Sequence, residues 1–354
     1  MATTFKNFAS NDKINTRTLL HEAIPITGTI PSGTYGDNNV KNYSHGMFQS
    51  VYDYPFLSSS ANHIFDITVG YSAHSLCSSS AAVQNSKKIN IYNQMAQMLV
   101  GFDHTGSVRE FDRDGDLASG TKHREVIFLN IARLLGKDEL KKESFKITAA
   151  TGGAPETRTF ITTHQVTISD YSSSTDYRVN SPAGEYGILY TGSGAEIVAG
   201  SGVGLIYYQA GVAVLTGSIF PHDWGAPDAT YQTGSDTSVA GFEMVLTGAA
   251  ISASCDGFRN VLNTMEFDNT TELNSTIYFC RANHSDFNYS ANPTYLTGSK
   301  IRVKNNVRRN QPISYVTSIG LYSADNELLA VAKLSEPLKK TPSNELTLRV
   351  RLDY

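Results

Sequence analysis

The stretch from Val203 to Phe220, VGLIYYQAGVAVLTGSIF, constrains the fold more than any other. Leu205 to Tyr208 and Val212 to Leu215 are short apolar, β-branched and aromatic runs, and Gln209-Ala210-Gly211 separates them. That is the pattern of two paired, buried strands. Gly184-Glu185-Tyr186-Gly187-Ile188-Leu189-Tyr190 upstream reads as a third strand, and Pro221-His222-Asp223-Trp224-Gly225 downstream as a breaker cluster. The fragment is an antiparallel meander, and nothing in it carries catalytic chemistry.

Only 18% of the 354 residues are charged, against 40% hydrophobic, whereas about 25% charged is usual. Ser, Thr, Asn, Gly and Tyr fill the difference, a mix suited to strands joined by polar turns. The expectation is a mainly β chain with antiparallel sheets, sandwich or barrel-like, and one or two short helices. A net charge of −4 gives no general attraction to nucleic acid or to an anionic membrane. The basic run KIRVKNNVRRN, with Lys300, Arg302, Lys304, Arg308 and Arg309, reads as a solvated turn or as an interface with an acidic neighbour. Cys77, Cys255 and Cys280 are odd in number and lack CxxC spacing, which argues against a disulfide framework or a zinc site and fits a reducing cytoplasm. The opening MATTFKNFASNDK has no apolar core and no run of about 18 apolar residues follows, so neither Sec-type export nor membrane anchoring is expected.

Four segments follow from the punctuation. Residues 1–60 are polar and turn-rich, an extended N-terminal arm whose nearest approach to a strand is Ile24 to Pro31, between two prolines. Residues 61–150 form an α+β segment. Ile64 to Gly70 alternates as a half-buried strand, and Ile89, Tyr92, Met95, Ala96, Leu99 and Val100 recur at helical spacing, predicting a helix over Asn85 to Val100 with Ser86 as N-cap and Gly101 at C′. Val126 to Leu135 is apolar enough for a buried strand or a short helix, which periodicity alone does not separate; the strand, running into a turn at Gly136-Lys137-Asp138, is favoured, and Ser144 to Thr148 reads as another strand. Thr151 to Pro155 marks a boundary, after which 151–255 is a β-rich region, readable as an insertion, and almost wholly strand and turn from Glu156 to about Leu246. Residues 256–354 form a C-terminal β segment packing with 61–150. In it Ser314 to Tyr322 and Leu328 to Lys333 flank SADNE as a hairpin, and Leu346, Leu348, Val350 and Leu352 alternate with polar residues as a final strand with one buried face.

Few constellations carry chemistry. Asp112-Arg113-Asp114-Gly115-Asp116 resembles the start of an EF-hand loop, but Leu117 stands where the sharp-turn glycine belongs and His123 where the bidentate glutamate belongs; it reads as a solvated acidic turn. Gly200-Ser201-Gly202-Val203-Gly204 precedes a strand instead of opening a helix, so it is a turn and not a phosphate cradle. His222-Asp223-Trp224 reads as a packed corner, with a sugar platform as the rival reading. No GxSxG, HExxH, Walker loop or CxxC pair occurs. The expectation is no enzyme, and no catalytic, cofactor-binding or metal-binding residue.

Several stretches resemble virion structural proteins of marine contractile-tailed phages related to the T-even group: Phe267 to Arg281, Asp286 to Tyr295, Tyr315 to Thr317, Gly320 to Tyr322, Leu328 to Leu334, Arg349 to Tyr354, and upstream Leu134 to Lys142 and Ser181 to Gly187. The resemblance covers most of the chain from Ile64 onward and carries no catalytic motif. It implies a multi-copy, homo-oligomeric structural component of a virion, in the tail or baseplate, assembled in the host cytoplasm and acting through contacts with other virion proteins, without nucleic acid or membrane as partner. The alternatives are a receptor- or carbohydrate-binding virion module, a head or neck decoration protein, and a hydrolase of cell-surface polymer.

Overall fold

A computed structural model describes residues 5–26, 37–150, 165–192, 202–219, 241–289, 296–297, 300–301 and 311–354. In chain order the strands are β1 (Lys13–Ile26), β2 (Val40–Asn42), β3 (Gln49–Tyr52), β4 (His63–Tyr71), β5 (Phe111–Asp112), β6 (Lys122–His123), β7 (Glu125–Ile131), β8 (Glu139–Leu140), β9 (Lys146–Ala150) and β10 (Gln165–Ser169). They continue with β11 (Tyr177–Arg178), β12 (Tyr186–Thr191), β13 (Gly204–Tyr207), β14 (Val212–Thr216), β15 (Leu262–Ala282), β16 (Leu296–Thr297), β17 (Lys300–Ile301), β18 (Ser314–Tyr322), β19 (Leu328–Lys340) and β20 (Leu346–Asp353). Helices are α1 (Asn85–Leu99), the one-turn α2 (Arg133–Gly136), α3 (Gly241–Gly248) and α4 (Ile251–Val261). The chain is mainly β and its sheets are antiparallel, as the composition implied.

Two compact units form, one from Leu20–Thr271 and one from Met1–Leu19 with Glu272–Tyr354, a division that the punctuation near 60, 150 and 255 does not mark. In the first, the strand order runs β15-β9-β10-β12-β13-β14-β7-β4-β3-β2. The meander read from Val203 to Phe220 is present: β13 pairs with β12 on one side and with β14 on the other, with Leu205 opposite Val214. β14 then pairs with β7, and β7 with β4. Residues Val126 to Leu129 and Val212 to Leu215 are all buried, so these strands are covered on both faces, which is why they read as continuous apolar runs and not as alternation.

α1 lies against β4. Gly70 makes this approach feasible: a Cβ there would stand 2.9 Å from the Lys88 carbonyl oxygen and 3.1 Å from the Tyr92 amide nitrogen, both helix backbone. Tyr92, Ala96 and Leu99 fill the interface, and Tyr92 meets Phe111 edge-on, with Phe111 against Phe128. The helix ends as read, with Gly101 at φ +84° and its N–H on the Ala96 carbonyl. Its start differs. The N-cap is Gln84, in the left-handed region at φ +55°, and its side-chain carbonyl accepts the Ile251 N–H that opens α4. Lys88, on the second turn, is fully buried; its ammonium donates to the carbonyls of Val83 (2.8 Å), Leu246 (2.5 Å) and Ala249 (2.7 Å). It thus satisfies carbonyls at the C-terminal end of α3, where no helical N–H is left to pair. Burial pushes its pKa down to about 8.

Three expectations need correction. Residues 40–52 are not arm but sheet, since β2 and β3 pair in succession with β4 and Val51 is fully buried. Polar side chains hid β3: Gln49 can be buried because its two amide N–H groups are shared among Asn42 Oδ1, Ser252 O and Asp256 Oδ1, and Ser50 because its hydroxyl donates to Asp66 Oδ1. The N-terminal strand is the largely exposed Lys13–Ile26, of which the 24–31 reading caught the end; 27–31 lie outside the described residues. Helix also appears where strand and turn were expected to run to Leu246, in α3, and α4 follows it. Ile251, Cys255 and Phe258 recur at helical spacing and are buried.

Replacing Gly70 with Ala forces α1 off β4, so we expect a loss of about 1–3 kcal/mol, read from the urea midpoint; an unchanged midpoint contradicts the close approach. The phenols give a second expectation. Burial raises Tyr71 and Tyr186 from 10.0 to about 12, and Tyr208 further still. A raised folded pKa means this stability is fully present below pH 10 and is lost as pH rises towards 12, where the unfolded chain has already released the protons. The urea midpoint should therefore fall between about pH 9.5 and 11.5, and the double variant Tyr71→Phe/Tyr186→Phe should flatten that fall.

Candidate protein-interaction surface

The second unit follows a different rule of burial. β20 pairs with the distal half of β15, Ser275 opposite Asp353 through Ala282 opposite Leu346. Leu346, Leu348, Val350 and Leu352 are buried or half-buried while Thr347, Arg349, Arg351 and Asp353 are exposed, the alternation read from the sequence. β18 and β19 form the expected hairpin. Ser323 N–H donates to the Glu327 carbonyl, its hydroxyl oxygen accepts the N–H groups of Asp325 and Glu327, and Asn326 takes φ +64°. Asn is among the residues that tolerate that region best.

This ribbon is wet over most of both strands. Leu328, Leu329, Val331, Tyr315 and Tyr322 are exposed, with Leu329 at 68% and Tyr315 at 63%. A two-stranded hairpin is marginal by itself in water, so its points of attachment matter. Lys340, at the end of β19, is fully buried and donates to Asn288 Oδ1 (2.8 Å), Thr341 O (2.9 Å) and His284 O (3.3 Å). Burial lowers its pKa. Ser314 Oγ donates to Phe287 O (2.5 Å), and Phe5 meets Tyr322 edge-on at 5.0 Å.

Beside the ribbon lies a groove of ≈ 790 Å³ whose apolar walls include Phe5, Phe8, Phe279, Phe287 and Leu348. Its charged wall residues are neutralised by near neighbours: Lys6 Nζ is 2.5 Å from Asp286 Oδ2, and Arg281 Nε donates to Asp12 Oδ1 at 2.6 Å. The Ala9 N–H and then Arg281 hold Asp12 below the usual carboxylate range, and the Lys6 ammonium does the same for Asp286. Sequence reasoning missed this groove because its walls come from both ends of the chain. The one available signal was Phe5 and Phe8, apolar residues in an otherwise polar opening.

The chemical candidates fare differently. Asp112, Asp114 and Asp116 can bring one carboxylate oxygen each within 4.8 Å of the others, the one such cluster among the described residues. Leu117 takes the left-handed conformation, φ +60°, in place of the glycine, with its N–H on Asp112 Oδ2. A cation is already supplied, however: Lys122 Nζ stands 2.9 Å from Asp112 Oδ1. His123 pairs with Phe111 and so projects to the face away from Asp112; burial pushes its pKa down to about 4, leaving it neutral. Asp170 is buried and accepts from Glu143 N, Phe145 N, Ser173 Oγ and Tyr208 OH. Burial raises its pKa and those four donors oppose the rise. With its oxygens committed to these donors, it ties loops and strand together. Gly202 to Gly204 lead into β13, a strand as read. His222-Asp223-Trp224, Gly152 to Pro155, 200–201 and Arg302 to Asn310 lie outside the described residues. Among the described residues no helix is long and apolar enough to cross a membrane.

Because Lys122 already neutralises Asp112, millimolar calcium should move the melting temperature by no more than about 2 °C; a saturable rise of many degrees would make the acidic turn a cation site. Comparison with known proteins gives no relative: no protein-family model, no curated protein and no solved structure matches the chain.

Proposed function

We propose that the chain is a multi-copy structural component of a contractile-tailed phage virion, in the tail or baseplate, acting through protein contacts and not through catalysis. The observation that carries this reading is the β18–β19 ribbon, which holds Tyr315, Leu328, Leu329 and Val331 in water. Exposed large apolar side chains gathered on one hairpin point to association, and here they fall within Tyr315 to Thr317, Gly320 to Tyr322 and Leu328 to Leu334, stretches that resemble phage virion proteins. The low charge and the exposed Ile14, Leu19 and Leu20 of strand β1 support the same reading. The partners are other virion proteins and further copies of this chain, met after folding in the host cytoplasm.

Mass spectrometry and cryo-electron microscopy of purified particles of the parent phage test it. The expected outcome is this chain in several symmetry-related copies, with the ribbon covered by a neighbour. Its absence from purified virions rules the role out.

A further inference from the structure

We propose that the free edge of β18 receives an extended, uncharged strand from a partner protein by β-strand addition into the adjoining groove. Three observations carry this. First, every residue from Ile313 to Ala324 touches the groove. Side chains of a strand alternate between two faces, so an open space touched by all consecutive residues lies along the strand's edge. Among the described residues β18 pairs with β19 alone, and its outer N–H and C=O groups face that space.

Second, the two edges of the ribbon are not equally protected. β19 carries Lys333, Glu336, Pro337 and Lys339, and Leu334 to Pro337 bulge opposite Thr317. Charges, proline and bulges are the means by which an edge strand is kept from pairing. The nine residues of β18, SYVTSIGLY, contain no charge and no proline. The unprotected edge is the one that faces the groove.

Third, the walls select the occupant. Lys6 and Arg281 are already paired with Asp286 and Asp12, so a charged side chain entering would be desolvated without a partner. The remaining walls are uncharged, and Phe5, Phe8, Phe279 and Leu348 line the same space as β18. A single extended segment with apolar residues at alternate positions satisfies both edge and walls. A second copy's β18 would bring β19 with it, two strands for a space of ≈ 790 Å³, so the occupant is a lone strand. The inference rests on the proposed function only for the source of that strand.

The test uses the whole purified chain and a fluorescent, acetylated and amidated nine-residue peptide that alternates valine or tyrosine with serine or threonine. Fluorescence anisotropy should show saturable binding, and hydrogen exchange should slow at the amides of Ser314–Tyr322. N-methylation of the peptide at one set of alternate residues should weaken binding about tenfold or more, and at the other set little, because only one set points its N–H groups at β18. Lysine at the apolar positions should abolish binding. No binding at about 1 mM peptide, equal effects of the two N-methylated sets, or protection away from β18 overturns the proposal. So does a dimer of the chain that dissociates in the Ile319→Lys variant, since the occupant would then be a second copy. These readings need no virion: peptide binding can fail while the chain is found in particles, and can succeed while it is absent from them.

Discussion

Burial of both faces of the strands from β12 through β13 and β14 to β7 is the constraint on which the Leu20–Thr271 unit depends. Strands such as Val126 to Leu129 and Val212 to Leu215 leave no side for water, so each face needs a cover and every polar group brought in with that cover needs a partner. α1 comes close enough only because residue 70 has no side chain. Four buried tyrosines are anchored by the hydroxyl: Tyr71 on Asn85, Tyr92 on the His123 carbonyl, Tyr186 on the Gly115 carbonyl and Tyr208 on Asp170. Lys88 belongs to the same logic, a cation held inside because three carbonyls await a donor there. These buried polar groups serve the core, and their perturbed acidities follow from burial and packing.

The other unit has no such thickness. Its sheet is half-buried, its ribbon is wet on most positions, and what fixes the ribbon is polar anchoring at its base through Lys340 and Ser314. A surface of that kind holds its backbone conformation without covering its apolar side chains, which is the property an assembly joint requires. One edge carries lysines and a proline and the other does not, so the ribbon has a direction in which association is favoured.

How much of this was legible depended on whether a segment's neighbours were near in sequence. The meander of β12, β13 and β14, helix α1 with its C-terminal Gly101, the β18–β19 hairpin and the alternation of β20 were all readable, because period and turn chemistry are local. β3 was hidden by Gln49 and Ser50, whose partners Asp256 and Asp66 lie 207 and 16 residues away. Gln84 could not be foreseen as a cap, since a left-handed glutamine is unusual and its amide serves another helix. α4 did carry a helical period, Ile251, Cys255 and Phe258, but its Ser, Asp and Asn content weakened the signal. The groove was the least legible feature. Its walls are assembled from Phe5 and Phe8 at one end of the chain and from β15, β18 and β20 at the other, and no local pattern records that meeting.

That same arrangement sets a clock. Met1–Leu19 belongs to a unit whose other part, Glu272–Tyr354, leaves the ribosome only after the whole of Leu20–Thr271 has been made. At about 5–20 residues per second that interval is on the order of tens of seconds. Throughout it the larger unit has its own strands to pair with, while the first nineteen residues have none of theirs. On the proposed function, the surface that would recruit a neighbour can form only once Leu20–Thr271 has been made and Glu272–Tyr354 has followed it. Order of synthesis thus separates the folding of the core from the formation of that surface, by topology alone.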